Sequence, residues 1–276
     1  MMAKFTKMHG LGNDFVMINA IDQAIQLTDE QCRFIADRHF GIGCDQILLV
    51  EAPRTASTDF HYRIFNADGS EVEQCGNGAR CFANFVRDRG LTDKKIINVG
   101  TRSGEIQLRV QKKGMVRVNM GSPSLEPGQI PFDAETKAIT YPIKVAGERL
   151  TIAAISMGNP HAVLQVENVD TAPVEQLGPL LERHPRFPRR VNVGFMEICS
   201  REQIRLRVFE RGTGETLACG TGACAAVVAG QLQSLLGPRV EVSLPGGNLV
   251  VEWGGNSEPV WMSGPTVRVF EGTIEL

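Results

Sequence analysis

The sequence predicts an α+β protein built from two similar halves, and three observations carry this prediction. Residues 63–79 recur as residues 207–223 with seven identical positions, where unrelated segments would share about one. Much of the remaining chain alternates apolar and polar residues, which is typical of half-buried β-strands. Each copy of the repeated segment runs into an apolar stretch with the length and composition of a buried helix.

The predicted elements follow in chain order. A helix is expected over residues 28–38, with Thr28 as its N-cap and Gln31 at the capping-box position. Further helices are expected after the two repeat copies, over residues 79–89 and 223–236, and the second of these is apolar nearly all round and should be buried. Alternation predicts strands at residues 106–110, 116–120, 204–208, 240–244, 249–253 and 267–274, with a hairpin turn at residues 112–114.

The repeat extends beyond the 17 residues and suggests where the halves meet. Gly12-Asn13-Asp14 in the first half has a counterpart in Gly158-Asn159-Pro160 in the second. Residues 121–128 are rich in turn-forming residues and are a plausible linker. We therefore expect an N-terminal half of residues 1–119 plus 265–276, and a C-terminal half of residues 120–264.

Composition narrows the class of protein. The 276 residues are 42% hydrophobic and 22% charged, as in ordinary globular proteins, and the net charge of −2 gives no indication of a nucleic-acid or membrane surface. No stretch approaches the roughly 18 apolar residues of a membrane span, and the first ten residues do not resemble a signal peptide. Seven cysteines, an odd number spread along the chain, favour the reducing cytoplasm over a disulfide framework.

Both repeat copies end in Cys-Gly-x-Gly-Ala, at Cys75 and Cys219, just before a predicted helix. A helix N-terminus carries partial positive charge and unpaired N–H groups, so it binds a carboxylate and should lower the pKa of an adjacent thiol from about 8.5 toward neutrality. Two thiols on opposite faces of one carbon could remove a proton on one face and return it on the other. This is the chemistry of a racemase or epimerase.

The other cysteine and glycine patterns favour structural roles. Five cysteines lack the duplicated glycine context and are expected to fill the core, namely Cys32, Cys44, Cys81, Cys199 and Cys224. No Cys-x-x-Cys or His-x-x-x-His pair is present, so no metal site is expected. The glycines at residues 10–12 and 212–214 lack the third glycine and the βαβ context of a nucleotide-binding loop.

Four segments, in order along nearly the whole chain, resemble the signatures of the diaminopimelate epimerase family. They are residues 10–15, 66–80, 158–161 and 210–222. The resemblance implies a cofactor-independent, homodimeric enzyme that interconverts LL- and meso-2,6-diaminopimelate on the route to lysine and peptidoglycan. It also implies two pseudo-symmetric halves, each a β-barrel-like, mostly antiparallel sheet wrapped around a central helix, with the active site in the cleft between them.

The resemblance also assigns roles to individual residues. Cys75 and Cys219 would be the catalytic acid and base, and Glu210 and His161 would lie near the thiols and help set their protonation. The backbone amides that bind the reacting carboxylate would belong to Gly76, Asn77, Gly220 and Thr221. The far end of the substrate would be held by Asn13, Asn66, Asn159, Asn192 and Arg211, with Glu210 close by. Gln46 is a further candidate for substrate binding, with a purely structural role as the alternative.

Two alternative functions are also compatible with the sequence. One is a relative with the same halves and another substrate, such as a proline racemase or hydroxyproline epimerase. The other is a non-enzymatic thiol redox or binding protein. The asparagines and Arg211 favour a long substrate with a second amino-acid head, which proline lacks and which a redox protein would not need.

Overall fold

A computed structural model describes residues 1–72 and 75–276 and divides the chain into two units. Unit 1 comprises Met1–Asn119 and Ser263–Leu276, and unit 2 comprises Met120–Met262. The sequence placed the second boundary after residue 264, so the two divisions differ by two residues there.

The described residues of unit 1 form β-strands, including the C-terminal strand of the chain, and three α-helices. Its elements are β1 (Met2–Gly10), β2 (Asn13–Asn19), α1 (Ala20–Gln23), α2 (Asp29–Ala36), β3 (Gln46–Glu51), β4 (Phe60–Asn66), β5 (Glu71–Val72), α3 (Gly76–Asp88), β6 (Ile96–Thr101), β7 (Gly104–Val110), β8 (Val116–Asn119) and, at the end of the chain, β18 (Val267–Glu275).

Unit 2 repeats much of this order with two helices. Its elements are β9 (Tyr141–Val145), β10 (Glu148–Ser156), β11 (Pro160–Val166), α4 (Val174–Glu182), β12 (Asn192–Ser200), β13 (Gln203–Glu210), β14 (Gly214–Thr216), α5 (Gly220–Leu232), β15 (Arg239–Leu244) and β16 (Gly247–Glu252). Strand β17 (Trp261–Gly264) contains the boundary with the last part of unit 1.

The two units share one pattern of strand pairing. In unit 1, β3 lies between β2, to which it is parallel, and β4, to which it is antiparallel. Strand β4 also pairs antiparallel with β5 and parallel with β6, and β6 pairs antiparallel with β7. Unit 2 repeats this pattern of parallel and antiparallel pairs, with β11, β12, β13, β14, β15 and β16 in the places of β2, β3, β4, β5, β6 and β7. The repeat in the sequence therefore reflects a repeat in topology, and most pairings in both units are antiparallel.

Each unit buries one long helix against its strands. Helix α3 packs on β1, β2, β3, β7 and β8, and α5 packs on β10, β11, β12, β13 and β16. The ring of Phe82 on α3 lies 5.8 Å from the ring of Phe60 and 5.6 Å from that of Tyr62. Helix α5 is instead lined with alanine, valine and glycine, which allow strands to approach it from every side. The predicted α+β class, mostly sheet with a buried central helix in each half, is confirmed.

The opposite faces of the strands are covered by shorter helices. Helix α2 begins at its N-cap Thr28, whose side chain accepts from the Gln31 amide in a capping box, as predicted. Helix α4 covers an apolar cluster that includes Phe132, Tyr141 and Phe187. These helices bury apolar side chains on a second face of the strands they cover.

The structure corrects several expectations about individual elements. Helices α3 and α5 each begin three residues earlier than predicted, at Gly76 and Gly220, because the cysteine itself is the N-cap. Helix α5 ends at Leu232 rather than residue 236, and α2 ends at Ala36 rather than residue 38. Cys199 was expected in the core but is exposed, since it lies near the solvent-facing end of β12. The other four cysteines assigned to the core are buried.

Two searches over residues 1–72 and 75–276 gave negative results. No helix in these ranges combines the length and hydropathy needed to cross a membrane. Within the same ranges, no three His, Cys, Asp or Glu side chains are grouped so that they could hold a metal ion.

Candidate active site

The two repeated cysteines occupy equivalent positions at the starts of the two central helices. Cys75 is the N-cap of α3 and Cys219 is the N-cap of α5, both with extended backbone. The Sγ atom of Cys75 accepts a hydrogen bond from the amide of Gly78 at 3.5 Å. The first N–H groups of a helix have no partners within the helix, and its N-terminus carries partial positive charge.

The second glycine of each Cys-Gly-x-Gly motif lies at a closely packed position. A Cβ atom at Gly78 would lie 3.1 Å from the ring of Phe15, and one at Gly222 would lie 3.1 Å from the side chain of Val208. The first turn of each helix thus presses directly on a strand of its own unit. This close approach explains why both copies of the motif keep glycine at that position.

In unit 1, Asn13 connects the thiol to its surroundings. Its Oδ1 atom accepts from the Cys75 thiol at 3.7 Å and from the side-chain amide of Asn77 at 3.2 Å. Its Nδ2 atom donates to Asp45 at 2.9 Å. The carboxylate of Asp45 and the side-chain amide of Asn77 together fix which end of the Asn13 amide faces the sulfur.

A charged cluster holds this arrangement in place. Asp14 pairs with Lys7 at 2.6 Å and receives two hydrogen bonds from Arg38, at 3.0 and 2.9 Å. Arg38 also donates to Asp45 at 2.8 Å. Burial acts to raise the pKa of Asp14, but the hydrogen bonds from Arg38 and Lys7 outweigh it and hold the pKa well below its usual range. Asp14 is therefore ionised across the physiological pH range.

Gln46 and Asn66 form a second pair in unit 1. They lie opposite each other in the antiparallel register of β3 and β4, and Nε2 of Gln46 donates to Oδ1 of Asn66 at 2.9 Å. Asn66 also donates to the hydroxyl of Ser70 at 3.2 Å. Gln46 thus orients one of the residues that the sequence assigned to the substrate.

In unit 2, four of the predicted site residues form one chain of contacts. The Sγ atom of Cys219 lies 3.6 Å from the Thr221 hydroxyl, which accepts from Asn159 at 3.3 Å. The Oδ1 atom of Asn159 in turn lies 3.0 Å from Nε2 of His161. The turn before β11 and the start of α5 therefore come together around the sulfur.

The protonation of Cys219 differs from the expectation that the helix would lower its pKa. Burial, followed by the charge of Glu210, raises the pKa of Cys219 well above its ordinary value, and the hydrogen bond from Thr221 offsets only part of this. Glu210 is held by the Thr216 hydroxyl at 2.5 Å. Desolvation of this almost completely buried thiolate outweighs the hydrogen bonds from Thr221 and Gly222 that favour it. The raised pKa favours the neutral thiol form of Cys219 at physiological pH.

The pKa of His161 is shifted by its surroundings as well. It is buried, and burial together with the positive charge of Arg211 lowers its pKa to about 3. Such an imidazole is neutral at physiological pH. Its ring contacts Asn159 and orients that amide, and its role in the protonation of Cys219 stays a prediction.

Arg211 and Asn192 lie side by side at the end of β13. The backbone amide of Arg211 donates to Oδ1 of the buried Asn192 at 2.9 Å, and Nη1 of Arg211 donates to the carbonyl of Arg189 at 3.0 Å. Asn192 also donates to the carbonyl of Pro160 at 3.1 Å. The guanidinium is thereby presented at an exposed turn, where it can pair with a carboxylate.

Each unit thus assembles its own share of the predicted residues. Unit 1 places Asn13, Cys75, Gly76 and Asn77 in one group and Gln46 with Asn66 in another, and unit 2 gathers Asn159, His161, Asn192, Glu210, Arg211, Cys219, Gly220 and Thr221. Sequence reasoning missed Asp45 and Thr216, which orient Asn13 and Glu210. Asp45 directly precedes Gln46, but a lone aspartate in a loop carries no signal of its own.

Comparisons with known proteins agree with the motifs. Residues 5–126 and 153–269 match the profile of the diaminopimelate epimerase family. The diaminopimelate epimerases of Thioalkalivibrio sulfidiphilus and Pseudomonas aeruginosa are 63% and 56% identical to this chain, each over the full length of both proteins. A hydroxyproline epimerase from Agrobacterium vitis has a TM-score of 0.71 at 15% identity, covering 99% of this chain and 92% of its own, and shows a shared fold only. The chain belongs to the diaminopimelate epimerase family.

Proposed function

We propose that this protein is an isomerase that interconverts LL- and meso-2,6-diaminopimelate, without pyridoxal phosphate, by a two-base mechanism. The observation that carries the proposal is the pair of cysteines at matching helix N-caps, Cys75 on α3 and Cys219 on α5, in a chain of this family. Such an activity serves lysine and peptidoglycan precursor synthesis, and the odd number of cysteines favours the reducing cytoplasm as its location.

The chemistry inverts one α-carbon by moving two protons. One cysteine, as thiolate, takes the α-proton and becomes a thiol, and the electron pair of the broken C–H bond stays on the carbon. The other cysteine, as thiol, delivers its proton to the opposite face and becomes the thiolate. The two sulfurs have then exchanged roles, so their titration is coupled.

Stabilisation of the carbanion is assigned to the two helix starts. The α-carboxylate takes up negative charge as the proton leaves, and donors already aimed at that charge lower the barrier. We assign these donors to the backbone amides of Gly76, Asn77, Gly220 and Thr221, which lie in the first turns of α3 and α5. Helix dipoles add to the effect because both N-termini favour an anion.

Recognition of the far end of the substrate is assigned to polar side chains. We assign Arg211 to the second carboxylate, and we assign Asn13, Asn66, Asn159 and Asn192 to the same end of the substrate, with Gln46 orienting Asn66. Glu210 and His161 have supporting roles, Glu210 beside the Cys219 thiol and His161 behind Asn159. A second charged head of this kind distinguishes diaminopimelate from proline.

The test is proton exchange in deuterated water. LL-diaminopimelate is incubated with the protein without added cofactor, and the α-proton signal is followed by NMR, with proline in a parallel tube. We expect meso product with solvent deuterium at the inverted carbon, and no exchange with proline. Inversion with the original proton retained would contradict two bases, and exchange with proline alone would favour the racemase reading.

We also propose that two copies of the chain pair through an apolar surface of unit 1. Val267, Val269 and Phe270 on β18 are 47%, 54% and 48% exposed, and Phe40 nearby is 84% exposed. Phe40 and Phe270 also line a groove of about 380 Å³, together with Phe5, Phe34, Gly41, Ile42, Thr273 and Ile274. Apolar patches of this kind mark association sites.

Sedimentation analysis tests this pairing. Wild-type protein should sediment as a dimer, and Phe270→Lys should shift it toward monomer by placing a charge in the apolar surface. Arg239→Glu, on an exposed position of unit 2, is the control and should leave the dimer intact. A monomeric wild-type protein at micromolar concentration would refute the proposal.

A further inference from the structure

Glu182 is a buried carboxylate that the proposed mechanism does not use. It is the last residue of α4, and its side chain is only 4% exposed. Burying a carboxylate is costly unless it is paired and hydrogen-bonded. The contacts of Glu182 show which part of unit 2 this buried carboxylate stabilises.

The carboxylate holds the turn that carries Arg211. The Oε1 atom of Glu182 accepts a hydrogen bond at 2.9 Å from the backbone amide of Gly212, which directly follows Arg211 in the sequence. Gly212 has a φ of +77° in the turn between β13 and β14, a conformation that favours glycine. The exposed guanidiniums of Arg183 and Arg190 lie 3.4 and 3.7 Å from the carboxylate and partly balance its charge.

The backbone of Glu182 fixes the other contact of Arg211. Its carbonyl accepts from the amide of Val191 at 3.1 Å and so closes the segment that follows α4. That segment contains Arg189, whose carbonyl accepts from Nη1 of Arg211 at 3.0 Å. Glu182 therefore anchors the turn that contains Gly212, and it also anchors the segment whose Arg189 carbonyl accepts from the guanidinium of Arg211.

Close packing holds α4 against the strand that leads into this turn. A Cβ atom at Gly178 would lie 2.6 Å from the ring of Phe209, so α4 can approach β13 only with glycine there. This contact sets the position of Glu182, one helical turn further on, relative to Glu210 and Arg211. The amide of Arg211 is held from the other side by Asn192 at 2.9 Å.

From these contacts we infer that Glu182 is a positioning residue for Arg211. Glu182 holds the turn of residues 210–212 in one conformation, as a clamp. The guanidinium of Arg211 is therefore already oriented toward the second carboxylate of the substrate before the substrate binds. The inference rests on the proposed function for its kinetic consequence, but the clamp itself is a property of unit 2. Preorganised donors bind better because less ordering is needed on binding.

Steady-state kinetics with diaminopimelate tests the consequence. Glu182→Met removes the acceptor and should raise KM about tenfold, with a smaller change in kcat. Glu182→Gln keeps an oxygen that can accept from Gly212 and should stay within about threefold of wild type. Glu175→Met changes an exposed glutamate of the same helix and should leave both constants unchanged.

A double-mutant cycle separates positioning from a general structural role. In an Arg211→Met background, Glu182→Met should change kcat/KM by less than about twofold, because the group it positions is gone. Equal effects of Glu182→Met in both backgrounds would overturn the inference. So would a Glu182→Gln variant as impaired as Glu182→Met.

Hydrogen–deuterium exchange provides a readout that does not need the activity. Glu182→Met should speed exchange in peptides covering residues 210–213, and Glu175→Met should not. Should Glu182→Met fail to fold, Glu182→Gln is used, and its weaker acceptor should give a smaller increase at the same residues. Unchanged exchange there overturns the clamp, whereas a protein inactive on diaminopimelate with the expected exchange pattern refutes the proposed function alone.

Discussion

The side-chain oxygen of Asn13 accepts a hydrogen bond from the thiol of Cys75 across 3.7 Å. The contact has a direction, because only the oxygen of the amide can accept the thiol proton. The opposite end of the same amide donates to Asp45 at 2.9 Å. If the amide turned over, its N–H groups would face the sulfur and favour the thiolate instead. Asp45 therefore influences Cys75 through Asn13 without touching it.

Replacing Asp45 by alanine should lower kcat/KM about tenfold, because the Asn13 amide loses the partner that sets its orientation. Asp45→Asn retains an acceptor oxygen and should be affected less. Thermal unfolding should show that both variants are folded. Wild-type kinetics for Asp45→Ala would show that Asn13 keeps its orientation without the carboxylate.

Replacing either repeated cysteine by alanine should abolish epimerisation by at least about 10³-fold, since each loss removes the acid or base from one face. Cys199→Ala is the matched control, because Cys199 is exposed and lies outside both groups of site residues. Initial rates with LL-diaminopimelate decide the matter. A Cys75→Ala enzyme with near-normal turnover would rule out the two-thiol scheme.

Glu210→Gln should lower the pKa of Cys219, because the negative charge of Glu210 is one cause of its rise. Burial, the larger cause, stays, so the pKa should remain above its ordinary value. The alkylation rate of Cys219 by iodoacetamide, followed against pH by peptide mapping in a Cys75→Ser background, reports the thiolate directly. The titration should move to lower pH in Glu210→Gln.

The control for this titration is Glu215→Gln, which alters a carboxylate of the neighbouring strand β14 that pairs with Arg207 instead. Its alkylation profile should match that of the parent. An unchanged profile in Glu210→Gln would mean that burial alone keeps the thiol protonated.

The two units contain equivalent ion pairs, and we expect equivalent contributions to stability. Arg63 binds Glu71 through two hydrogen bonds of 2.9 Å, and Arg207 binds Glu215 through two of 2.6 and 2.7 Å. In urea unfolding, a double-mutant cycle of Arg63→Met and Glu71→Gln should give a coupling free energy of about 1 kcal/mol. A coupling near zero would show that the pair is conserved between the units for another reason.

This contribution should depend on pH in a defined direction. The hydrogen bond from Arg63 lowers the pKa of Glu71 below its ordinary value of 4.5. The stabilisation is therefore fully present above pH 4.5 and is lost as the pH falls through the lowered pKa of the folded state. The coupling free energy measured at pH 7 should thus be larger than that measured near pH 3.

Much of the fold and part of the site could be predicted from local sequence. The positions shared by the two repeat copies have structural meaning: Arg63 and Glu71 pair as Arg207 and Glu215 do, and Gly78 and Gly222 allow matching close approaches. Cys75 and Cys219 were identified because their glycine context occurs twice, and both are helix N-caps. The cysteine motifs are readable because a helix start and its N-cap depend on residues only a few positions apart.

The tertiary structure decided the protonation states of the site residues and the contacts that orient them, because both depend on parts of the chain that are distant in sequence. The sequence alone indicated a lowered pKa for both thiols, yet burial and Glu210 raise that of Cys219 and burial lowers that of His161. Asp45 and Glu182 had no motif to mark them, since each acts through a backbone or side-chain amide brought to it by folding. Repeats and helix starts are properties of local sequence, whereas desolvation and charge proximity exist only once the chain is packed.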